Sequence, residues 1–294
     1  MPPEGIGLFE KKHILTFEEM ERFSRIAVNL GVRKIKVTGG EPLARSGVVK
    51  FIASLSKIEG LEDLSITTNG ILLEVLAEDL KEAGLDRINV SVDSLDYESF
   101  REITRGGDVN KVKRGITKAL EMGFKVKINT VVLDYLSEDE IIKLIEYGNE
   151  WGLEVRFIEF MPLCGNGWNN DHVIPLSEVE EIIEKRYELA YLGNNGVTDR
   201  YSIDDGKGTI GFIRTMSKPF CSSCSRLRLT ARGSLRPCLF SSLQVNIFEL
   251  LRKQAPDGDI VKAIKKAVYL KPAWNPVLSG NEVSTNVLIR NVGG

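Results

Sequence analysis

The sequence has few of the residues that build disulfide frameworks or histidine metal sites. Its 294 residues include four cysteines and two histidines, and Cys221, Cys224 and Cys238 lie within one short segment. Secreted disulfide scaffolds distribute many cysteines along a short chain, so we expect a protein of the reducing cytoplasm. His13 and His172 lie at no metal-ligand spacing and are interpreted as surface or packing residues.

Long apolar runs and a strong net charge are also absent from the sequence. No stretch approaches the ~20 apolar residues of a membrane-spanning helix, and the opening MPPEGIGLFEKK lacks a signal-peptide pattern. The formal net charge of −2 gives no general attraction to nucleic acid or to anionic membranes. We therefore expect neither nucleic-acid nor membrane partners, and any anion site must be local.

The first half of the sequence alternates strand-like and helix-like patterns. Runs rich in valine and isoleucine are separated by helical patterns of about 10 to 15 residues, which is typical of parallel βαβ units in a barrel or a wound sheet. Thr16 is the expected cap of the first helix and Gly31 its stop. Five strands are predicted, in the segments KIKVT, DLSITTNG, RINVSVDS, FKVKINTVVL and LEVRFIEFMP.

The predicted strands end in small, glycine-rich or hydroxyl-bearing residues. Each of these ends alone is also what an ordinary turn uses. Because ligands of α/β proteins bind at the carboxyl ends of parallel strands, five polar ends in series favour one shared binding mouth. The ends are GGEP after Thr38, Thr67 to Gly70, Ser91 to Ser94, Asn129 and Thr130, and Glu159 to Pro162.

The pattern changes after Trp168. One more helix, LSEVEEIIEKRY, is followed by short strand and hairpin patterns around Gly206, Gly208 and Gly233. We therefore divide the chain near residue 170 into a barrel part, 1–170, and a smaller C-terminal region, 171–294, which carries the cysteine cluster.

Cys221, Cys224 and Cys238 form a C-x2-C-x13-C array. Three thiolates at this spacing suit a metal centre. A structural zinc site is normally closed by a fourth Cys or His, and the sequence offers neither near the array. An iron–sulfur cluster held by three thiolates leaves one iron open for a ligand. The alternative is three buried, reduced cysteines without a metal.

Basic residues surround the array. Residues 207–248 contain seven Lys or Arg and no Asp or Glu, and arginine binds phosphate through paired donors. Period-two alternation puts Arg226 and Arg228 on one face of the strand SRLRLT, with Leu227 and Leu229 on the other. We infer a phosphorylated ligand beside the metal centre. A nucleic-acid patch is the alternative, and the lack of further basic runs weighs against it.

Several motifs occur together in a fixed order: GGEPL, TTNG, NVSVDSL, KINTVV, RFIEFMP, CSSCSRLRLTARG and a final Gly-Gly. With them the chain resembles, from Met1 to Gly294, the molybdenum cofactor biosynthesis protein A family. Members of that family are radical S-adenosylmethionine (SAM) enzymes with GTP 3′,8-cyclase activity. The resemblance implies a partial (β/α)6 TIM-type barrel, with its first strand missing here, and a C-terminal region that carries an iron–sulfur cluster.

The resemblance also implies the reaction and its partners. GTP would be converted to (8S)-3′,8-cyclo-7,8-dihydroguanosine 5′-triphosphate in molybdenum cofactor biosynthesis, and a cyclic pyranopterin monophosphate synthase would act on the product. One [4Fe–4S] cluster would hold the guanine through its open iron, and a second cluster would bind SAM. The sequence leaves open whether a homodimer forms and what the electron donor is.

The site residues follow from the same resemblance, motif by motif. The ligands of the C-terminal cluster would be Cys221, Cys224 and Cys238. The contacts to GTP would come from Lys36, Thr67, Lys127, Arg226 and Arg228, and those to SAM from Gly40, Ser91 and Met161. Gly293 and Gly294 would reach into the active site, and Cys164 is given no role.

The chain departs from the family pattern at its start. The family's C-x3-C-x2-C triad, which holds the SAM cluster, would lie just ahead of Met1 together with one strand. We therefore expect an N-terminally truncated sequence or a late-assigned start, so that the chain alone would bind GTP without cleaving SAM. Two other interpretations stay open: a non-catalytic iron–sulfur protein that binds GTP, and another radical enzyme with an auxiliary cluster, such as a peptide-modifying one.

Overall fold

The computed structural model describes residues 10–163, 173–204 and 206–276. Within these residues the strands are β1 (Lys34–Val37), β2 (Asp63–Thr68), β3 (Arg87–Ser91), β4 (Lys125–Val132), β5 (Glu154–Glu159), β6 (Leu189–Asn194), β7 (Asp199–Ile203), β8 (Thr209–Ile213), β9 (Arg228–Leu229), β10 (Ser234–Arg236) and β11 (Val245–Asn246). The helices are α1 (Phe17–Asn29), α2 (Val48–Leu55), α3 (Leu73–Glu82), α4 (Tyr97–Thr104), α5 (Val109–Glu121), α6 (Glu138–Trp151), α7 (Leu176–Glu184), α8 (Phe248–Arg252) and α9 (Asp257–Tyr269). None of the helices in this part of the chain is long and apolar enough to cross a lipid bilayer.

Strands β1 to β8 form one sheet in the order β1-β2-β3-β4-β5-β8-β7-β6. The first six strands in this order are parallel, and β7 and β6 continue the sheet antiparallel. The predicted parallel α/β architecture is confirmed, and it is that of a partial TIM-type barrel. The segment TIGFI, predicted only as strand or hairpin material, pairs both with β7 in a hairpin and with β5 as a sixth parallel strand.

Local signals set the ends of the helices. Thr16 caps α1 as predicted, because its Oγ1 accepts the Glu19 N–H at 3.2 Å and the Glu19 carboxylate accepts the Thr16 N–H at 2.7 Å. Gly31 follows this helix with a φ of 102°, a conformation that other residues rarely adopt. Ser137 and Glu140 make the same reciprocal cap at the start of α6.

The outer face of the parallel sheet is apolar and packs under the helices. Its centre consists of fully buried side chains, including Ile66, Ile88, Ile128, Phe157 and Phe212. Burying one such side chain contributes about 1.5–3 kcal/mol. Because the helices cover this face, the opposite face of the sheet is left for a ligand.

A second core joins the first helix to the C-terminal region. Phe23 and Ile26 of α1 pack with Leu235 of β10 and with Ile260 and Ile264 of α9. Strands β9 to β11 form a separate three-stranded antiparallel sheet beside this core. The division near residue 170 stays a prediction. The two parts are in contact, because β8 belongs to the barrel sheet and α1 shares a core with α9.

Candidate functional site

The inner face of the parallel sheet is lined by polar side chains. In most barrels this space is filled by packed apolar residues, and alternate residues of a strand point to opposite faces. The strand register gathers the inward side chains into three rows, which are Lys36, Ser65, Arg87 and Lys125, then Thr67, Asn89, Lys127, Glu154 and Thr209, and then Ser91, Asn129, Arg156 and Gly211. Charged and hydrogen-bonding groups in this position make the interior of the barrel a candidate ligand-binding site.

Cations from separate parts of the chain converge in this interior. Burial, together with the charges of Arg156, Arg226 and Arg87, lowers the pKa of Lys36 to about 8. Lys36 and Arg226 each keep more than a third of their surface open to solvent although protein atoms surround them. Like charges held this close repel one another unless an anion lies between them.

Glu154 is an acidic residue that pairs with Arg156 and with two further cations. Its Oε2 lies 2.9 Å from Nζ of Lys127 and 3.1 Å from Nε of Arg200, and its Oε1 lies 2.5 Å from Nε of Arg156. Burial opposes ionisation of Glu154, but Arg156 and Lys127 hold its pKa below the usual range. Burial and Arg156 lower the pKa of Lys127 in spite of the Glu154 contact. Lys127 therefore lies in the interior and is already paired there.

The GGEP motif forms the loop after β1. Glu41 fixes this loop beside β2, since its Oε1 accepts the Thr68 hydroxyl at 2.7 Å and its Oε2 accepts the Asn69 N–H at 2.7 Å. At Gly40 no heavy atom beyond the glycine and its two chain neighbours lies within 4 Å of the place where a Cβ would be. A ligand can thus approach the backbone at Gly40 without meeting a side chain.

Two buried polar atoms near the strand ends have no hydrogen-bond partner within the described ranges. They are Oγ1 of Thr67 and Oδ1 of Asn129, and Asn129 lies next to Ser91 in the register of β3 and β4. An unsatisfied buried polar atom costs about 1–3 kcal/mol. A polar ligand bound beside Thr67 and Ser91 would relieve this cost. Met161, half-buried, follows β5 at the same edge.

The fold brings the three predicted cysteine ligands together. Cys221 begins a short 3-10 turn, Cys221–Ser223, and Cys238 follows β10. All three thiols are free and half-buried. Burial raises the pKa of Cys221, and the neighbouring thiols of Cys238 and Cys224 raise it further. The array is therefore one group of thiols in space.

These thiols are not gathered around a single ion. In residues 10–163, 173–204 and 206–276, no three Cys, His, Asp or Glu side chains converge on a point where one metal ion could be held. Zinc–sulfur bonds of ~2.3 Å in a tetrahedron require sulfurs about 3.8 Å apart. The thiolates of an iron–sulfur cluster bind different irons and lie further apart. Three neighbouring half-buried thiols are the candidate ligands of an iron–sulfur cluster.

Basic groups surround the thiols. Although burial opposes it, the Arg226 backbone N–H, Lys271 and the Arg226 guanidinium lower the pKa of Cys224. Burial lowers the pKa of Arg228 to about 10, and Arg226 adds to this effect, while Cys238 and Cys224 oppose it. The thiolate is the form of cysteine that binds metals, so these surroundings favour metal binding.

The segment that carries the two arginines has the predicted alternation, although only Arg228 lies in a strand, β9. Leu227 and Leu229 pack against the second core, while Arg226 and Arg228 lie near each other and near the thiols. The guanidinium of Arg226 also lies over the ring of Phe220, 5.1 Å from its centroid. The two arginines lie near each other, while the predicted strand SRLRLT is reduced to Arg228–Leu229.

Glu159 fixes the loop that leads to the first cysteine. This buried carboxylate ends β5, and it accepts the N–H groups of Met216 at 2.6 Å and Ser217 at 3.0 Å, as well as the Ser217 hydroxyl. The strand that ends just before Met161 therefore also determines the path of the chain toward Cys221.

Sequence reasoning missed Glu154 and Arg156 as parts of the interior. Their strand carried the signal, because LEVRFIEF alternates charged and apolar residues, whereas strands buried on both faces are apolar throughout. Cys164, Gly293 and Gly294 lie outside the described residues.

Two family models match the chain, one after the other. The Radical SAM superfamily model matches residues 3–148, and the Molybdenum Cofactor Synthesis C model matches residues 153–276. The first match covers the segment from α1 to α6, and the second covers β8 and the cysteine array. The boundary between the matches falls before β5.

Curated relatives match over nearly their whole length. The chain is 42% identical over 299 residues to a GTP 3′,8-cyclase of Syntrophomonas wolfei subsp. wolfei, a match that covers 100% of this chain and 92% of the relative. It is 43% identical over 277 residues to a GTP 3′,8-cyclase of Thermodesulfovibrio yellowstonii, covering 92% of this chain and 86% of the relative.

A solved structure shares the fold. Streptococcus suis SuiB bound to S-adenosylmethionine aligns with a TM-score of 0.59 at 17% identity, over 83% of this chain and 59% of SuiB. At this low identity the likeness supports the architecture of the chain and carries nothing about its substrate.

Proposed function

Since this chain belongs to the GTP 3′,8-cyclase family of radical SAM proteins, we propose that it converts GTP to (8S)-3′,8-cyclo-7,8-dihydroguanosine 5′-triphosphate. The observation that carries the proposal is the convergence of Lys36, Arg156 and Arg226 beside three thiols. A triphosphate supplies the negative charge that such a group of cations lacks. The product would pass to a cyclic pyranopterin monophosphate synthase in molybdenum cofactor biosynthesis, which we place in the cytoplasm.

The interpretation as a non-catalytic GTP-binding protein is not favoured. The relatives that match the chain over nearly all their length are named as cyclases. The interpretation as a peptide-modifying radical enzyme is weakened by the inward cations, because a peptide substrate does not require a dense group of guanidinium and ammonium groups.

The cofactors that we assign are SAM and iron–sulfur clusters, which together supply the radical chemistry of the superfamily when bound. Half-buried neighbouring thiols with basic surroundings fit a [4Fe–4S] cluster in which three of the four irons are each bound by one cysteine. The open backbone at Gly40 and the unpaired Oδ1 of Asn129 next to Ser91 are compatible with a polar ligand such as SAM. In this assignment Cys221, Cys224 and Cys238 hold the cluster, and Gly40, Ser91 and Met161 contact SAM.

The residues of this chain would bind the triphosphate and orient the nucleoside. Arg228 of β9 and Arg226, two residues before it, offer guanidinium groups beside the cluster ligands. Lys36 of β1 and Lys127 of β4 offer ammonium groups from the barrel wall, and Thr67 offers a hydroxyl. Glu154 holds Lys127 in place before GTP enters, so that little reorganisation is needed on binding.

Ligand binding to the chain as given tests the cluster and the substrate. After anaerobic reconstitution we expect about four irons per monomer. Addition of GTP should change the electron paramagnetic resonance (EPR) spectrum of the reduced cluster, and ATP, which lacks the guanine, should not. One tightly bound zinc ion per chain, or GTP binding that leaves the spectrum unchanged, would contradict the assignment.

Turnover is measured on the full coding sequence of the gene, including any codons ahead of Met1. With SAM, dithionite and GTP we expect 5′-deoxyadenosine and a product isomeric with GTP. Cleavage of SAM that leaves GTP unchanged would reject the cyclase assignment and favour another radical SAM reaction.

A further inference from the structure

Lys271 lies where the two segments of the cysteine array meet. Its Nζ is 2.8 Å from the carbonyl oxygen of Arg226 and 2.8 Å from the carbonyl oxygen of Pro237. Arg226 comes two residues after Cys224, and Pro237 directly precedes Cys238. One ammonium group therefore joins the backbone beside Cys224 to the backbone beside Cys238.

The ammonium group of Lys271 also lies near the thiols. Its positive charge is one of the influences that lower the pKa of Cys224 against the effect of burial. It acts in the same direction on Cys221, whose pKa is raised by burial and by the other two thiols. A lysine has three N–H donors. Two of them are used by the carbonyl oxygens of Arg226 and Pro237.

The position of Lys271 is fixed by a rigid element. It follows α9 by two residues, and α9 is anchored in the second core through Ile260, Ile264 and Ala267. The same segment continues to Asn275, whose Nδ2 donates to the carbonyl oxygen of Thr215 at 3.4 Å. The chain after α9 thus spans the loop that precedes Cys221 as well as the two joined segments.

We propose that Lys271 is a positioning residue for the iron–sulfur centre, which holds the segments of Cys224 and Cys238 at cluster spacing and places a positive charge beside the cluster sulfurs. The inference rests on the cluster assigned under the proposed function. Reduction adds negative charge to a cluster, so a nearby cation and N–H donors to sulfur raise its reduction potential. Lys271 therefore stabilises the reduced form of the centre.

Three variants of the full chain separate the two contributions of Lys271. Lys271→Met removes the charge and the donors but keeps an unbranched side chain. Lys271→Gln keeps N–H donors without the charge, and Lys271→Arg keeps the charge. The matched control is Lys265→Met, which removes an exposed lysine of α9. Each protein is reconstituted anaerobically, and its iron and sulfide content and the midpoint potential of its cluster, followed by EPR, are measured.

We expect Lys271→Met to lose at least half of the iron of the native chain, and the clusters that remain to have a lower midpoint potential. Lys271→Arg should recover the potential, and Lys265→Met should match the native chain. Native iron content together with native potential in Lys271→Met would overturn the proposal. If circular dichroism shows that Lys271→Met does not fold, Lys271→Gln takes its place in the test. A midpoint potential of Lys271→Gln equal to that of the native chain would overturn the role of the charge.

The two proposals fail in different ways. A native chain that takes up zinc or no metal contradicts the cluster assignment itself. A native chain that holds the cluster, with a Lys271→Met variant that is unchanged in iron and potential, contradicts only the role of Lys271.

Discussion

Lys127 and Glu154 form an ion pair of 2.9 Å between neighbouring strands of the barrel sheet. The pair is largely shielded from solvent, since the two side chains are 17% and 6% exposed. Arg156 binds the other oxygen of the same carboxylate. One acidic residue thus offsets part of the positive charge of the interior and orients two cations before a ligand enters.

Replacement of Glu154 by Gln should lower the free energy of unfolding by about 3 kcal/mol, the lower end of the cost of breaking a buried pair, because the amide oxygen still accepts a hydrogen bond. Denaturant titration measures this change. The control is Glu74→Gln, which breaks the exposed pair with Arg114 and should change stability by less than about 1 kcal/mol. Equal losses in the two variants would show that the interior pair is no stronger than a surface pair.

The same carboxylate predicts a dependence of stability on pH. The pKa of Glu154 is lower in the folded chain than in the unfolded chain, so its contribution is present above the unfolded value of about 4.3 and is lost as the pH falls through the folded value. The difference in unfolding free energy between the native chain and Glu154→Gln should be constant from about pH 7 to about pH 5 and shrink below about pH 4. A difference that grows on acidification would contradict the assignment of charge to Glu154.

GTP affinity should fall as the pH rises from about 7 to about 9. In the ligand-free chain the pKa of Lys36 is about 8, because of burial and of Arg156, Arg226 and Arg87, so its positive charge is lost in this range while the phosphates stay largely ionised. Arginine keeps its charge, and Lys36→Arg should therefore bind GTP with less dependence on pH. Calorimetric titrations at both pH values compare the GTP affinities of the two proteins. A contribution of Lys127 to the pH dependence of affinity is the same in both. Identical slopes would show that Lys36 does not face the phosphates.

The sequence predicted the parallel sheet because the signals for it are local. Thr16 caps its helix through neighbours within one turn, and the alternation of Arg226 and Arg228 needs only the period of a strand. The contacts of Lys271 to the carbonyl oxygens of Arg226 and Pro237 span 45 and 34 positions. Such contacts depend on how α9 packs against α1, which no local pattern encodes.

Arg228→Ala and Arg226→Ala should each weaken GTP binding by about 1.5–3 kcal/mol, the scale of a hydrogen bond to a charged group. Binding is measured by calorimetry on the reconstituted chain. The matched control is Arg114→Ala, which removes an arginine from the outer surface of α5, where it pairs with Glu74. Affinity that is unchanged in both variants would show that this strand does not contact the nucleotide.

Gly115 allows α5 to pack closely on α3. A Cβ at this position would lie 2.6 Å from the carbonyl oxygen of Gly70 and 2.9 Å from Cβ of Leu73, and neither atom can move without shifting backbone. Gly115→Ala should therefore destabilise the fold by about 1–3 kcal/mol, although alanine favours a helix. At Gly258 in α9 no atom lies within 4 Å of the added carbon, so the same change there should be neutral or stabilise by up to about 1 kcal/mol. Thermal unfolding compares the two variants. If Gly115→Ala were as stable as the native chain, the two helices could separate at no cost, and the outer layer of the barrel would not hold β2 and β4 in fixed positions around the interior.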